Sequence, residues 1–172
     1  MTERDFWKKT VSFHGHECPG LAIGFKAALL AKELLQIDDH INDEDIVCVS
    51  ETDACGIDAF QVILNATVGS GSMRLQYKGK NAFSVYNRKN GLSVRLVWKD
   101  DIKALSKSEK LKIILKTPAK ELFSVKNTKG KFPERAMIYK SAPCVLCGEL
   151  TAENALIDID GKLYCWDCEE TV

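Results

Sequence analysis

The chain has 172 residues, 45% of them hydrophobic, and no low-complexity tract, enough for one substantial core and a small appendage. Lys+Arg and Asp+Glu stand at 24 each, which removes any overall electrostatic case for nucleic acid and leaves room only for a local basic patch. The start, Met1-Thr2-Glu3-Arg4-Asp5, is charged and no apolar run approaches the roughly 18 residues of a bilayer span, so a cytoplasmic protein without a membrane segment is expected.

In chain order, residues 2–12 predict a short helix capped by Thr2, with Phe6, Trp7, Thr10 and Val11 on its inner side. Phe13-His14-Gly15-His16-Glu17-Cys18-Pro19-Gly20 follows. Read as extended, it places His14, His16 and Cys18 at alternate positions on one side of the backbone. Pro19 suits the first position of a helix running to about Ile37, which makes Cys18 its N-cap, where unpaired backbone N–H groups favour a thiolate. That helix is apolar nearly all round, and Gly24, Ala27, Ala28 and Ala31 allow a neighbour close approach. A polar connection containing His40 leads to Ile46-Val47-Cys48-Val49-Ser50, a β-rich run expected as a central strand with Cys48 in the core.

Glu51-Thr52-Asp53-Ala54-Cys55-Gly56-Ile57-Asp58 ends that strand. Thr52 or Asp53 would cap a helix to about Asn65, with Cys55 in its first turn. Three β-type runs, 73–78, 82–89 and 92–99, joined at 78–81 and at Asn90-Gly91, then predict an antiparallel meander. Helical spacing returns over 100–116, with a break and fresh cap near Ser106. Pro118 opens another short helix, and 134–140 is expected as a last core strand. The order indicates an α+β core over residues 1–140, with a boundary at Ser141-Ala142-Pro143 and a small domain over 141–172.

That small domain carries the most specific pattern in the chain. Cys144-x-x-Cys147 and Cys165-x-x-Cys168 are separated by 17 residues, the spacing of a four-thiolate zinc finger of zinc-ribbon or treble-clef-like form. Gly148 supplies the tight knuckle, and Asp160-Gly161 turns a hairpin between the pairs. About 30 residues make no core of their own, so the metal would supply the folding free energy. Rubredoxin-type iron is the lesser option. Lys162, Tyr164 and Trp166 are outweighed by seven acidic residues, which favours a protein partner over nucleic acid.

In the core, two imidazoles and a thiol within five residues suit Zn²⁺ or another borderline transition metal. Two or three protein ligands would leave a position open, as catalytic sites do. The candidate ligands are His14, His16, Cys18 and Cys55. Asp58 is the candidate to orient a histidine, and Glu17 a candidate acid or base. The alternatives are a loop whose histidines bond backbone, and a Cys55 that is simply a small buried residue.

Phe13-His14-Gly15-His16-x-Cys18-Pro19-Gly20, then Glu51-x-x-x-Cys55-x-x-Asp58-Ala59-x-Gln61, and the final Cys-x-x-Cys-Gly-Glu together resemble the FmdE family of formylmethanofuran dehydrogenase proteins across essentially the whole chain. The resemblance implies an α+β core that forms a homodimer, a metal-associated pocket built from the His/Cys loop and the second cysteine, and a C-terminal zinc finger. It also implies association with a molybdenum- or tungsten-type oxidoreductase, whose redox chemistry belongs to other subunits. Two classes stay open. One is an accessory subunit or metal-handling partner; the other is a small metal-dependent enzyme or thiol redox protein using Cys18, Cys55 and His16, with Asp58 in support.

Overall fold

The computed structural model describes residues 1–39, 42, 44–99, 102, 105–129 and 131–170. They divide into two compact units, Met1–Arg135 and Ala136–Val172. His40, expected in a polar loop, lies outside the described residues.

The first unit begins with α1 (Glu3–His14), held at its start by a reciprocal cap. The Thr2 hydroxyl accepts from the Asp5 N–H, and the Asp5 carboxylate accepts from the Thr2 N–H. Phe6 and Thr10 face inward, and Trp7 meets Phe25 edge-on at 4.9 Å. The helix runs two residues past expectation and takes His14 with it. It stops at Gly15, whose φ of 92° is the left-handed closure that glycine adopts without cost. The His/Cys segment is therefore not a strand. His14 ends a helix, and the chain reverses before it becomes extended at Cys18, the N-cap of α2 (Pro19–Leu34).

The second helix is buried along most of its length, including Lys26, which pairs with Glu3 at 2.8 Å. It ends three residues before the expected Ile37, at a C-cap on Leu35 followed by a left-handed Gln36. Its close approach to α3 (Ile57–Leu64) rests on two glycines: a Cβ on Gly24 would stand 2.0 Å from the Gly56 carbonyl oxygen. This contact brings the two helix starts together.

Five strands form one mixed sheet in the order β2-β1-β3-β4-β5: β1 (Ile46–Ser50), β2 (Met73–Leu75), β3 (Ala82–Asn87), β4 (Ser93–Trp98) and β5 (Phe123–Lys126). The expected meander is corrected here. β2 does not pair with β3; it lies parallel to β1, with Cys48 opposite Met73, after a crossover through α3. β1 is thus interior and fully buried, as its unbroken apolar run requires. The hairpin at Asn90-Gly91 joins β3 to β4, with Gly91 at φ 73°. Residues 134–140 are not the expected last strand: they have no strand partner, Ile138 is fully exposed, and β5 takes the edge instead. α4 (Lys107–Lys116) starts at the fresh cap expected near Ser106, where Glu109 closes the box; α5 (Ala119–Leu122) follows Pro118. The main core lies between the helices and one sheet face, through residues such as Phe25, Phe60, Cys48, Phe83, Val85 and Leu96. Val47, Val49 and Tyr86 form a smaller cluster on the other face.

The second unit contains two hairpins, β6 (Ser141–Pro143) with β7 (Leu150–Ala152), and β8 (Leu156–Ile159) with β9 (Lys162–Cys165), then α6 (Trp166–Glu169). Asp160-Gly161 turns the second hairpin with both residues at positive φ. An α+β core and a four-cysteine zinc-finger-like tail are what the residue pattern implies.

Candidate functional site

Three chain segments converge at the core site. His14 arrives on the last turn of α1 and Cys18 on the cap of α2, where its sulfur accepts from the Leu21 N–H at 3.3 Å. The donor atoms of His14, His16 and Cys18 all lie within 4.8 Å of one another. A tetrahedral metal with nitrogen and sulfur ligands sets donors roughly 3.3–3.8 Å apart, so small side-chain rotations close the set. The imidazoles of His14 and His16 lie with centroids 4.5 Å apart.

His14 Nδ1 is 2.7 Å from Asp58 Oδ2, while its Nε2 faces Cys18 Sγ at 3.9 Å. A proton on Nδ1, donated to the carboxylate, leaves Nε2 with its lone pair toward the thiol. Asp58 is itself braced, accepting from Gln61 Nε2 at 3.1 Å. With α3 fixed by the Gly24–Gly56 contact, Asp58 on its first turn reaches α1.

Cys55 departs from expectation in two ways. It precedes the Gly56 cap of α3 instead of lying in the first turn, in a turn where the Thr52 hydroxyl accepts from the Ala54 N–H. Its thiol is pushed up from the ordinary value, by burial first and then by its interaction with Cys18, so no helix-start stabilisation of a thiolate prevails there. Cys55 is outside the three-residue donor cluster but beside it. A Cβ on Gly20 would lie 3.8 Å from Cys55 Sγ and 4.0 Å from Cys18 Sγ. Glu17 accepts from Trp7 Nε1 at 3.1 Å, and Cys48 is wholly buried with its thiol pushed up by burial.

In the tail, the four sulfurs of Cys144, Cys147, Cys165 and Cys168 likewise lie within 4.8 Å of one another and can hold a metal ion. Backbone N–H groups of Cys147 and then Cys165 pull the Cys144 thiol down to about 6. Cys168 is pushed up to about 12, chiefly by its bond with Cys165. Neighbouring sulfurs cannot all ionise unaided, and a cation resolves that conflict.

One feature has no motif in the sequence. On the outer face of the sheet is a cavity of about 460 Å³ lined by Arg74, Lys78, Lys80, Arg95, Lys129 and Lys131, with Glu51 its sole carboxylate among the described residues. Glu51 pairs in two-pronged fashion with Arg95, at 2.7 and 3.0 Å. The cations come from three separate segments, and only Arg74 on β2 and Arg95 on β4 lie on strands, so no local pattern hinted at them. No helix among the described residues is long and apolar enough to cross a membrane.

A family model described as FmdE, Molybdenum formylmethanofuran dehydrogenase operon, matches residues 13–138. The chain is 27% identical over 178 aligned positions to a probable S-adenosyl-L-methionine-binding protein of Archaeoglobus fulgidus, covering 85% of this chain and 48% of that protein. It thus spans about half the length of that curated relative. The crystal structure of a tungsten formylmethanofuran dehydrogenase FmdE-like protein from Syntrophus aciditrophicus matches with a TM-score of 0.73 at 23% identity, over 99% of this chain and 94% of that one, a likeness of fold.

Proposed function

The chain belongs to the FmdE family, and on that premise we propose that it is a two-metal accessory protein that carries or senses a transition metal for a molybdenum- or tungsten-type oxidoreductase. His14, His16 and Cys18 would hold the core metal, with Cys55 as the fourth donor and Asp58 orienting His14. A metal bound there would supply Lewis acidity and an exchangeable coordination position. Cys144, Cys147, Cys165 and Cys168 would hold a structural zinc. A homodimer is part of this reading.

The observation that carries it is the state of the carboxylates. An enzyme of this type needs an uncommitted acid or base beside the thiols. Glu17 is held by Trp7, Glu51 by Arg95, and Asp58 by His14 and Gln61. Soft donors are gathered and these three carboxylates are each paired, which suits a carrier, with the imidazoles of His14 and His16 left to bind metal. The crowding of Cys55 and Cys18 around Gly20 favours a second reading, a dithiol redox protein. The S-adenosylmethionine named for the Archaeoglobus relative is a cation, poorly matched to the basic cavity on this chain.

Metal content per chain, measured on untagged protein purified without added metal, tests the carrier reading. Two metals are expected in the wild type, and one each in Cys18→Ser with Cys55→Ser and in Cys144→Ser with Cys147→Ser. A core metal that a chelator strips while the tail metal stays would mark a carrier. One metal, indifferent to the loss of Cys18 and Cys55, would rule out the core site. A Cys18–Cys55 disulfide forming reversibly in metal-free protein would favour the redox reading.

A further inference from the structure

We propose that the basic cavity on the outer face of the sheet binds a phosphorylated small molecule by its phosphate end. This stands apart from the metal reading. The whole chain is electrically neutral, yet here six cationic side chains face one carboxylate, a formal excess of five positive charges. Like charges gathered from separate segments repel, and a concave wall focuses their field, so the arrangement is relieved by a compact polyanion. A monocarboxylate would neutralise a small part of it.

The geometry is that of a built pocket. Its volume falls within the roughly 300–1,000 Å³ of small-molecule sites. Val49, Ser84 and Tyr86 are buried in its lining, where Val49 and the Tyr86 ring offer an apolar surface for the body of a ligand; Tyr86 is itself met edge-on by Phe132 at 5.0 Å. Arg95 is fixed by Glu51 through Nε and one Nη, which aligns the guanidinium without exhausting its five donors. Arg74 is positioned by carbonyl oxygens of Gly71 and Glu134. The loop bearing Lys78 and Lys80 is pinned, since the backbone N–H groups of both residues donate to the Glu51 carbonyl oxygen, at 2.9 and 3.2 Å. Both lysines are also close enough to Glu51 to help hold its carboxyl below the usual range, after the larger effect of Arg95. Lys129 and Lys131 face the same cavity from the segment after β5. Ordered arginines with flexible lysines at the rim suit phosphate oxygens, bidentate contact at one and point charges at the other.

Isothermal titration of the full chain with inorganic pyrophosphate tests the phosphate end directly. Binding at about 1 mM or tighter is expected, weakening as salt rises. Lys78→Gln with Lys80→Gln, and separately Lys129→Gln with Lys131→Gln, should each weaken it about ten-fold or more. These lysines are exposed, so the melting temperature should hold and a lost signal is not lost folding. Absence of pyrophosphate binding, or binding that neither double variant weakens, would overturn the proposal. So would a short single-stranded RNA that binds at least ten-fold tighter than pyrophosphate and loses affinity in the same variants, which would make the face a nucleic-acid surface.

Discussion

The core and tail sites gather similar donors by opposite means. In the core, His14 and Cys18 are carried on the ends of helices and Cys55 in the turn before α3, all fixed by a hydrophobic core, and a glycine–glycine contact sets the distance between α2 and α3. In the tail, the buried hydrophobic residues are Cys144, Tyr164 and Cys165, while Val145, Leu146, Leu150 and Trp166 are exposed. Two of these three, Cys144 and Cys165, are themselves candidate ligands. The candidate core site is thus set by the fold, whereas in the tail a bound metal and the fold would depend on each other.

The largest effect should follow from removing the tail metal. A strong chelator, or Cys144→Ser with Cys147→Ser, is expected to unfold residues 136–172 and leave the first unit intact. Structural zinc is worth about 10–16 kcal/mol in small fingers, and the buried hydrophobic residues described in this unit are few. Limited proteolysis should release a protected fragment ending near Arg135; a tail that stays protected would erase the contrast.

Next is Gly24→Ala. Alanine gains up to about 1 kcal/mol of helix propensity, but its Cβ would overlap the Gly56 carbonyl, and overpacking costs about 3 kcal/mol, so the clash should win. Denaturant melts should show the loss in the core transition, with core metal content falling while tail metal is retained. A stabilised variant would mean that the helices do not need this approach.

Asp58→Asn sharpens the comparison at the core site alone. It removes the charge that orients His14, and core metal affinity should fall about 10–100-fold with little change in melting temperature. Competition against a chromogenic chelator reads this, and equal affinities would detach Asp58 from the site.

The smallest effect is a pH dependence confined to the core. Arg95 holds the Glu51 carboxyl below its ordinary 4.5, so the folded state takes up that proton less readily than the unfolded chain. This contribution is fully present above the unfolded value and is lost as pH falls through the folded one. Between pH 6 and pH 3, the wild-type core should lose more stability than Glu51→Gln, in fluorescence-detected melts. Parallel curves would show that the pair is not linked to folding.

Much of the molecule was legible along the chain. Thr2 and Ser106 cap helices through their hydroxyls and Pro19 opens one because its missing N–H is no loss at the first position, effects that act over a few residues, and Asn90-Gly91 turns its hairpin for the same local reason. The tail pattern was legible too, since metal-ligand spacing is a local property. Misreadings occurred where a distant partner decides. The 73–78 run looked like a meander strand, yet β1 occupies the place beside β3 and sends β2 to the far side. The apolar 134–140 segment had suitable residues and no strand to pair with.

By itself, then, the sequence determined the candidate donors, the place of Cys18 at the cap of a helix, and the α+β order, because capping, turns and hydrophobic periodicity are short-range. Only the tertiary structure decided that Cys55 would lie beside Cys18, that Asp58 would reach His14 across 44 positions, and that cations from three segments would face one cavity. Those are distances between elements, set by the close packing of α2 on α3 and by which strands pair. No local pattern encodes them, because the free energy that fixes them comes from burial spread over the whole core.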